Sequence, residues 1–113
     1  MKIPRAVLFT LTALPLVALA DDVLTGPRSI TLVGCMLEAG QCYVSVSGEP
    51  TGGTFGCSST SIRWNADNTA SGKRWLALLY GAYLAGKKVN FAIDGCFPDW
   101  PTFPTFRWAN VQD

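Results

Sequence analysis

The segment Met1–Ala20 constrains everything that follows, because it reads as an export signal and so sets the redox conditions for folding. Lys2 and Arg5 make a positive start. Ala6 to Leu19 carries no charge, and Ala18-Leu19-Ala20 places small residues at the two positions a signal peptidase tests. The apolar run is short for a bilayer span and no stop-transfer segment follows it. The expected mature chain is Asp21 to Asp113: one exported domain, periplasmic or secreted, with no membrane insertion after cleavage.

A domain of that length buries a modest share of its unfolded surface and gains from cross-links. Cys35, Cys42, Cys57 and Cys96 allow two disulfides, each contributing about 2–4 kcal/mol. No C-x-x-C pair is present, which argues against a thioredoxin-like centre or a zinc ribbon. Histidine is absent. That excludes a Ser–His–Asp or Cys–His nucleophile and a His-ligated zinc site; no metal and no cofactor are expected. Of nine Lys and Arg side chains two belong to the leader, leaving seven against eight Asp and Glu. Such a balance provides no field for nucleic acid.

Hydrophobic periodicity lays out the mature chain. Asp21–Arg28 is a polar lead-in. Ser29–Met36 and Gln41–Ser47 alternate as strands around a turn at Glu38-Ala39-Gly40, with Cys42, Val44 and Val46 on one face. Thr54–Asn65 predicts a third strand, interrupted near Ser58 to Ser61. A helix is expected between Asn68 and Ala85, capped by Asn68 or Ser71 and stopped by Gly86. Its apolar stripe is Trp75, Leu78, Leu79 and Ala82, and Leu76, Tyr80, Tyr83 and Leu84 fill much of the remaining circumference. A helix with so little charged surface either packs on two sides or meets another subunit, which allows a homo-oligomer. Lys88–Asp94 is the clearest strand, with Val89, Phe91 and Ile93 inward. Thr105–Val111 is the last strand: Phe106 and Trp108 favour one parity, Ala109 and Val111 the other. Five short strands and one long helix predict a mostly β, α+β fold, a small OB-like barrel stapled by disulfides.

Four cysteines permit three connectivities, and local geometry favours one. Cys35 ends the first strand and Cys42 begins the second, so they can face each other across the hairpin, which leaves Cys57 for Cys96. The run Gly72-Lys73-Arg74-Trp75-Leu76-Ala77-Leu78-Leu79, then Ala85-Gly86-Lys87-Lys88-Val89 and Asp94-Gly95-Cys96, resembles a family of small exported bacterial proteins of mostly unassigned function. In that family a cysteine precedes a leucine-rich helix and a second follows a Gly-Lys-Lys-Val strand, so the resemblance also implies the Cys57–Cys96 bridge. The order of elements is similar to that of AB5 toxin B subunits, which carry an OB fold. Cys35 and Cys42 form an additional bridge in this comparison.

Phe97-Pro98-Asp99, Trp100-Pro101-Thr102 and Phe103-Pro104-Thr105 repeat aromatic, proline, polar three times. Proline favours polyproline II, which would set Phe97, Trp100 and Phe103 on one ridge about 9 Å apart. The ridge either covers the core as a lid or forms an exposed surface for a sugar or a protein. Arg63 and Arg107 each neighbour a tryptophan, Trp64 and Trp108. A guanidinium beside an indole can hold a sugar or a carboxylate, yet both arginines read more simply as outward charges. Asp94 and Asp99 could approach as a carboxylate pair, but Asp94-Gly95 also reads as a turn, and no enzyme is expected. The expected function is a non-enzymatic binding module for a glycan or a protein surface, through Trp100, Phe103, Phe97, Trp108 and Arg107. The alternative is a periplasmic inhibitor or immunity-type protein that caps a partner enzyme.

Overall fold

The computed structural model describes residues 21–37 and 40–113. The leader, and Glu38 and Ala39 of the first turn, lie outside the described residues. Five strands, β1 (Val23–Cys35), β2 (Gln41–Val46), β3 (Ser61–Asn65), β4 (Lys88–Cys96) and β5 (Pro104–Gln112), form one antiparallel sheet in the order β3-β2-β1-β4-β5. The helix α1 (Ala70–Ala85) connects β3 to β4. The fold is mostly antiparallel sheet with one helix, as expected. No strand ladder joins β3 to β5, so the sheet is open rather than a closed barrel.

β1 serves both halves of this sheet. Its later residues, Ile30 to Cys35, pair with β2, whereas Val23 to Ser29 pair with β4. The expected lead-in up to Arg28 is therefore strand from Val23 onward. Its composition hides this because the ladder is broken by an irregularity between Leu24 and Pro27, with Gly26 at φ +75°. Side chains satisfy the interrupted backbone. Gly26 N–H donates to Asn90 Oδ1, and Phe91 N–H donates to Thr25 Oγ1. A distant strand supplies what local patterning cannot.

The helix cap falls between the two expected positions, one residue after Asn68 and two before Ser71. Thr69 is the N-cap and its hydroxyl accepts from Gly72 N–H at 2.9 Å. Asn65 is occupied elsewhere, its Oδ1 accepting from Asp67 and Asn68. Gly86 ends the helix in the left-handed region, as expected. Gly72 has a steric role. A Cβ there would sit 2.1 Å from the Asn65 carbonyl oxygen, and the Trp64 indole N–H donates to the Gly72 carbonyl. The first turn of α1 thus lies directly on the end of β3.

Only one face of α1 meets the core: Gly72, Leu79 and Ala82 are buried, with Trp75 and Leu76 packed beside them. Leu78 is 41% exposed and leaves the predicted stripe. Among the described residues α1 is not packed on two sides, since Tyr80, Tyr83 and Leu84 are also exposed. The core centres on Phe106, edge-to-face with Trp64, Trp75 and Phe91 at centroid separations of 5.7, 5.2 and 5.4 Å. Val44, Ile62, Val89 and Ile93 complete it.

β5 resolves its own ambiguity of parity. Ala92 pairs with Trp108 but Ile93 pairs with Phe106, so Arg107 is the extra residue of a bulge. Phe106 and Ala109 both reach the core because the alternation changes phase between them. The expected third strand is shortened to Ser61–Asn65. Gly53–Phe55 is a 3₁₀ turn between Gly52 and Gly56, both at positive φ. Both expected disulfides, Cys35–Cys42 and Cys57–Cys96, are present.

Two helix glycines should respond oppositely to alanine. Gly81 has open space around its Cβ position, so Gly81→Ala should stabilise by about 0.5–1 kcal/mol through helix propensity. Gly72→Ala should instead destabilise by about 1–3 kcal/mol, because the new methyl overlaps backbone. Urea denaturation of the oxidised protein measures both. Equal effects would contradict the close packing of α1 on β3.

Candidate functional site

Tyr43 and Arg63 are register partners across β2 and β3. Their neighbours Cys42, Val44, Ile62 and Trp64 belong to the core, so alternation puts Tyr43 and Arg63 on the opposite face. Gly34 of β1 is the next residue in this row. A Cβ there would lie 2.5 Å from the Tyr43 hydroxyl, so the glycine lets the phenol cross β1.

The β4–β5 connection covers this row. Phe97 N–H donates to the Phe103 carbonyl at 2.8 Å and closes the loop. Within it Trp100 N–H donates to Phe97 O, and Phe103 N–H donates to Trp100 O, each at 3.1 Å. These are two successive four-residue turns with Pro98 and Pro101 at the second position, where the fixed φ of proline fits. The expected polyproline ridge does not form. The same proline geometry serves either conformation, and the turn hydrogen bonds select the turns. Phe97 is buried, while Trp100 is 40% exposed and stands edge-to-face with Phe103 at 5.2 Å. The segment divides the two alternatives: it folds back with Phe97 inward and Trp100 and Phe103 over β3, yet Trp100 keeps part of its surface in solvent.

They converge on Arg63. Its guanidinium carbon lies 3.9 Å from the Phe103 centroid, 4.6 Å from Tyr43 and 4.8 Å from Trp100. Nη1 donates to Gln41 Oε1 at 3.0 Å, and Met36 Sδ lies 3.8 Å away. Arg63 is only 9% exposed, and its Nε is buried without a partner. Among the described residues no carboxylate pairs with it. Burial lowers its pKa from the usual arginine value, and Tyr43 opposes the shift. The expectation of an outward charge fails here because three ring faces replace water around the cation.

The other predicted residues are not drawn to this cage. Arg107 is exposed and faces Asp22 at 3.2 Å and Asp94 at 3.9 Å, an ordinary surface cluster of little energetic weight. Trp108 pairs with Ala92 and is partly exposed. Asp94 is engaged by Arg107, while Asp99 is exposed on the first turn. No metal-ligating cluster is found among the described residues. Grooves of about 470 and 340 Å³ flank α1. The first is lined by Val33, Cys35, Leu76, Ala77 and Tyr80 with Lys73, the second by Trp75 and Leu78 with Arg74 and Ser71.

Of the cage residues, the sequence singles out Trp100 and Phe103 and raises Arg63 only beside Trp64, with an outward charge preferred; it does not point to Tyr43 or Gln41. The available signal is positional: Tyr43 and Arg63 occupy polar-face positions of adjacent strands, and Pro at the second place of a turn folds aromatics back over them. Arg63→Ala should cost about 2–3 kcal/mol, since three ring contacts vanish and Gln41 loses its donor. Arg63→Met, similar in volume and without charge, should stay within about 1 kcal/mol of the parent. Urea unfolding tests the pair, and a neutral alanine variant would mean the cage contributes nothing to stability. No protein-family model, curated protein or solved structure matches the chain.

Proposed function

We propose that the chain is an exported, non-enzymatic binding module of OB type that holds a glycan against Trp100. Several observations support this reading. The strand order β3-β2-β1-β4-β5, with a helix between β3 and β4, suits an OB barrel whose last seam is open. OB folds take oligosaccharides and oligonucleotides on the face of strands 2 and 3, between the 1–2 and 4–5 loops. Tyr43 and Arg63 occupy β2 and β3, Met36 follows β1, and Trp100 and Phe103 come from the β4–β5 loop. The near-neutral charge of the mature chain favours a sugar over nucleic acid. Two disulfides and the leader-like Met1–Ala20 support export. No helix among the described residues is long and apolar enough to cross a membrane.

The observation that carries the proposal is the Trp100 ring, partly exposed yet held by Phe103 and by the guanidinium beneath it. A flat ring fixed before binding loses little entropy when a sugar stacks on it. Asp99 and Thr102, exposed on the same turns, provide polar groups for hydroxyls. A second reading, a protein partner such as a capped enzyme or another copy of this chain, is favoured by α1. Leu78, Tyr80, Tyr83 and Leu84 are exposed on it, and its only charges are Lys73 and Arg74. The similarity of layout to AB5 toxin B subunits fits either a glycan-binding or a self-associating role.

A glycan array probed with the oxidised protein tests the first reading. Trp100→Ala should weaken any glycan bound by about tenfold or more, while Trp108→Ala should leave it within about twofold. Equal loss in both variants, or none in Trp100→Ala, would remove the platform from the site. An empty array combined with a defined oligomer in sedimentation would favour the second reading.

A further inference from the structure

Among the described residues, nothing of opposite charge stands beside the caged cation. Among the described residues Arg63 has a neutral amide, a thioether and three rings as neighbours, and no carboxylate. A buried cation without a counter-ion keeps its field, because the low-dielectric surroundings screen it less than water would. Trp100 lies against this cation and is also the accessible ring of the site. Anything stacked on Trp100 therefore feels the guanidinium through the ring. Asp99 is the nearest acidic residue in sequence, but it is exposed, and a solvated carboxylate is screened far more strongly.

We infer that Arg63 sets the charge selectivity of the Trp100 platform, admitting neutral or anionic sugars and excluding cationic ones such as protonated amino sugars. This rests on the glycan reading and extends it to ligand class. Adding a ring contact of about 3.5–4.0 Å to the 4.8 Å between Arg63 and Trp100 puts a stacked ammonium about 8.5 Å from the guanidinium. At that separation, like-charge repulsion weakens binding on the order of tenfold after partial solvent screening. A positive platform equally disfavours lysine-rich surfaces.

Two measurements on the oxidised protein test the inference. The first needs no ligand. The fluorescence of Trp100, taken as the difference between the parent and Trp100→Phe, is quenched with iodide and with caesium, each referenced to free tryptophan amide. Iodide should be favoured several-fold. The bias should persist in Arg63→Lys and disappear in Arg63→Met, with Arg63→Gln as a second neutral variant should the methionine protein fold poorly. The second compares chitotetraose with its fully deacetylated form at a pH where the amines are protonated. The acetylated sugar should bind about tenfold more tightly, with the ratio falling towards one in Arg63→Met. Equal access for the two ions, or a bias that survives removal of the Arg63 charge, would overturn the inference. An iodide bias that depends on Arg63, with neither sugar bound, would uphold the charge assignment and reject the glycan reading.

Discussion

Arg63, buried and with no carboxylate beside it among the described residues, links the two open edges of this sheet. Arg63 lies on β3, one edge strand, and its backbone carbonyl accepts from Thr105 Oγ1 of β5, the other edge, at 2.7 Å. Its side chain carries Trp100 and Phe103, from the loop that leads into β5. Backbone and side chain of one residue therefore bridge a seam that no strand ladder closes. An unpaired edge invites association with other strands, and here the seam is covered by rings and one side-chain hydrogen bond rather than by a strand ladder.

The cross-links reinforce the same region. Cys57–Cys96 ties the loop after the 3₁₀ turn to the end of β4, one residue before Phe97. The aromatic loop therefore starts from an anchored point, and its two proline turns leave few alternatives for the rings. Cys35–Cys42 fastens the β1–β2 hairpin next to Tyr43. Rigidity around the cage thus comes from covalent bonds and prolines that also limit the unfolded chain. The helix differs: it meets the core with one narrow face and leaves large apolar groups in solvent.

How far the sequence is legible depends on how local each determinant is. β2 and β4 follow from alternation alone, since Val44 and Val46, and Val89, Phe91 and Ile93, are buried as their parity requires. The end of α1 follows from Gly86, whose left-handed conformation is a property of one residue. The disulfide partners follow from the hairpin and from what it leaves over. The first half of β1 was not legible, because the Gly26 irregularity breaks the pattern and Asn90 and Thr25 repair it across strands. The helix face is not fixed by apolarity alone: Leu76, not Leu78, joins Trp75, Leu79 and Ala82 against the core, on the side where Gly72 meets the end of β3.

Periodicity, capping and cysteine spacing act over a few residues, so the mostly β class with one helix, the cross-links and most strands follow from them directly. Which charge is buried follows instead from packing between distant segments. Arg63 and Arg107 have the same local context, each beside a tryptophan on a strand, yet one is caged and the other solvated. The difference lies in what crosses over each: Trp100 and Phe103 fold back onto Arg63, while Arg107, on a bulge, meets only Asp22 and Asp94. That choice depends on packing between segments far apart in the chain, which no local pattern encodes.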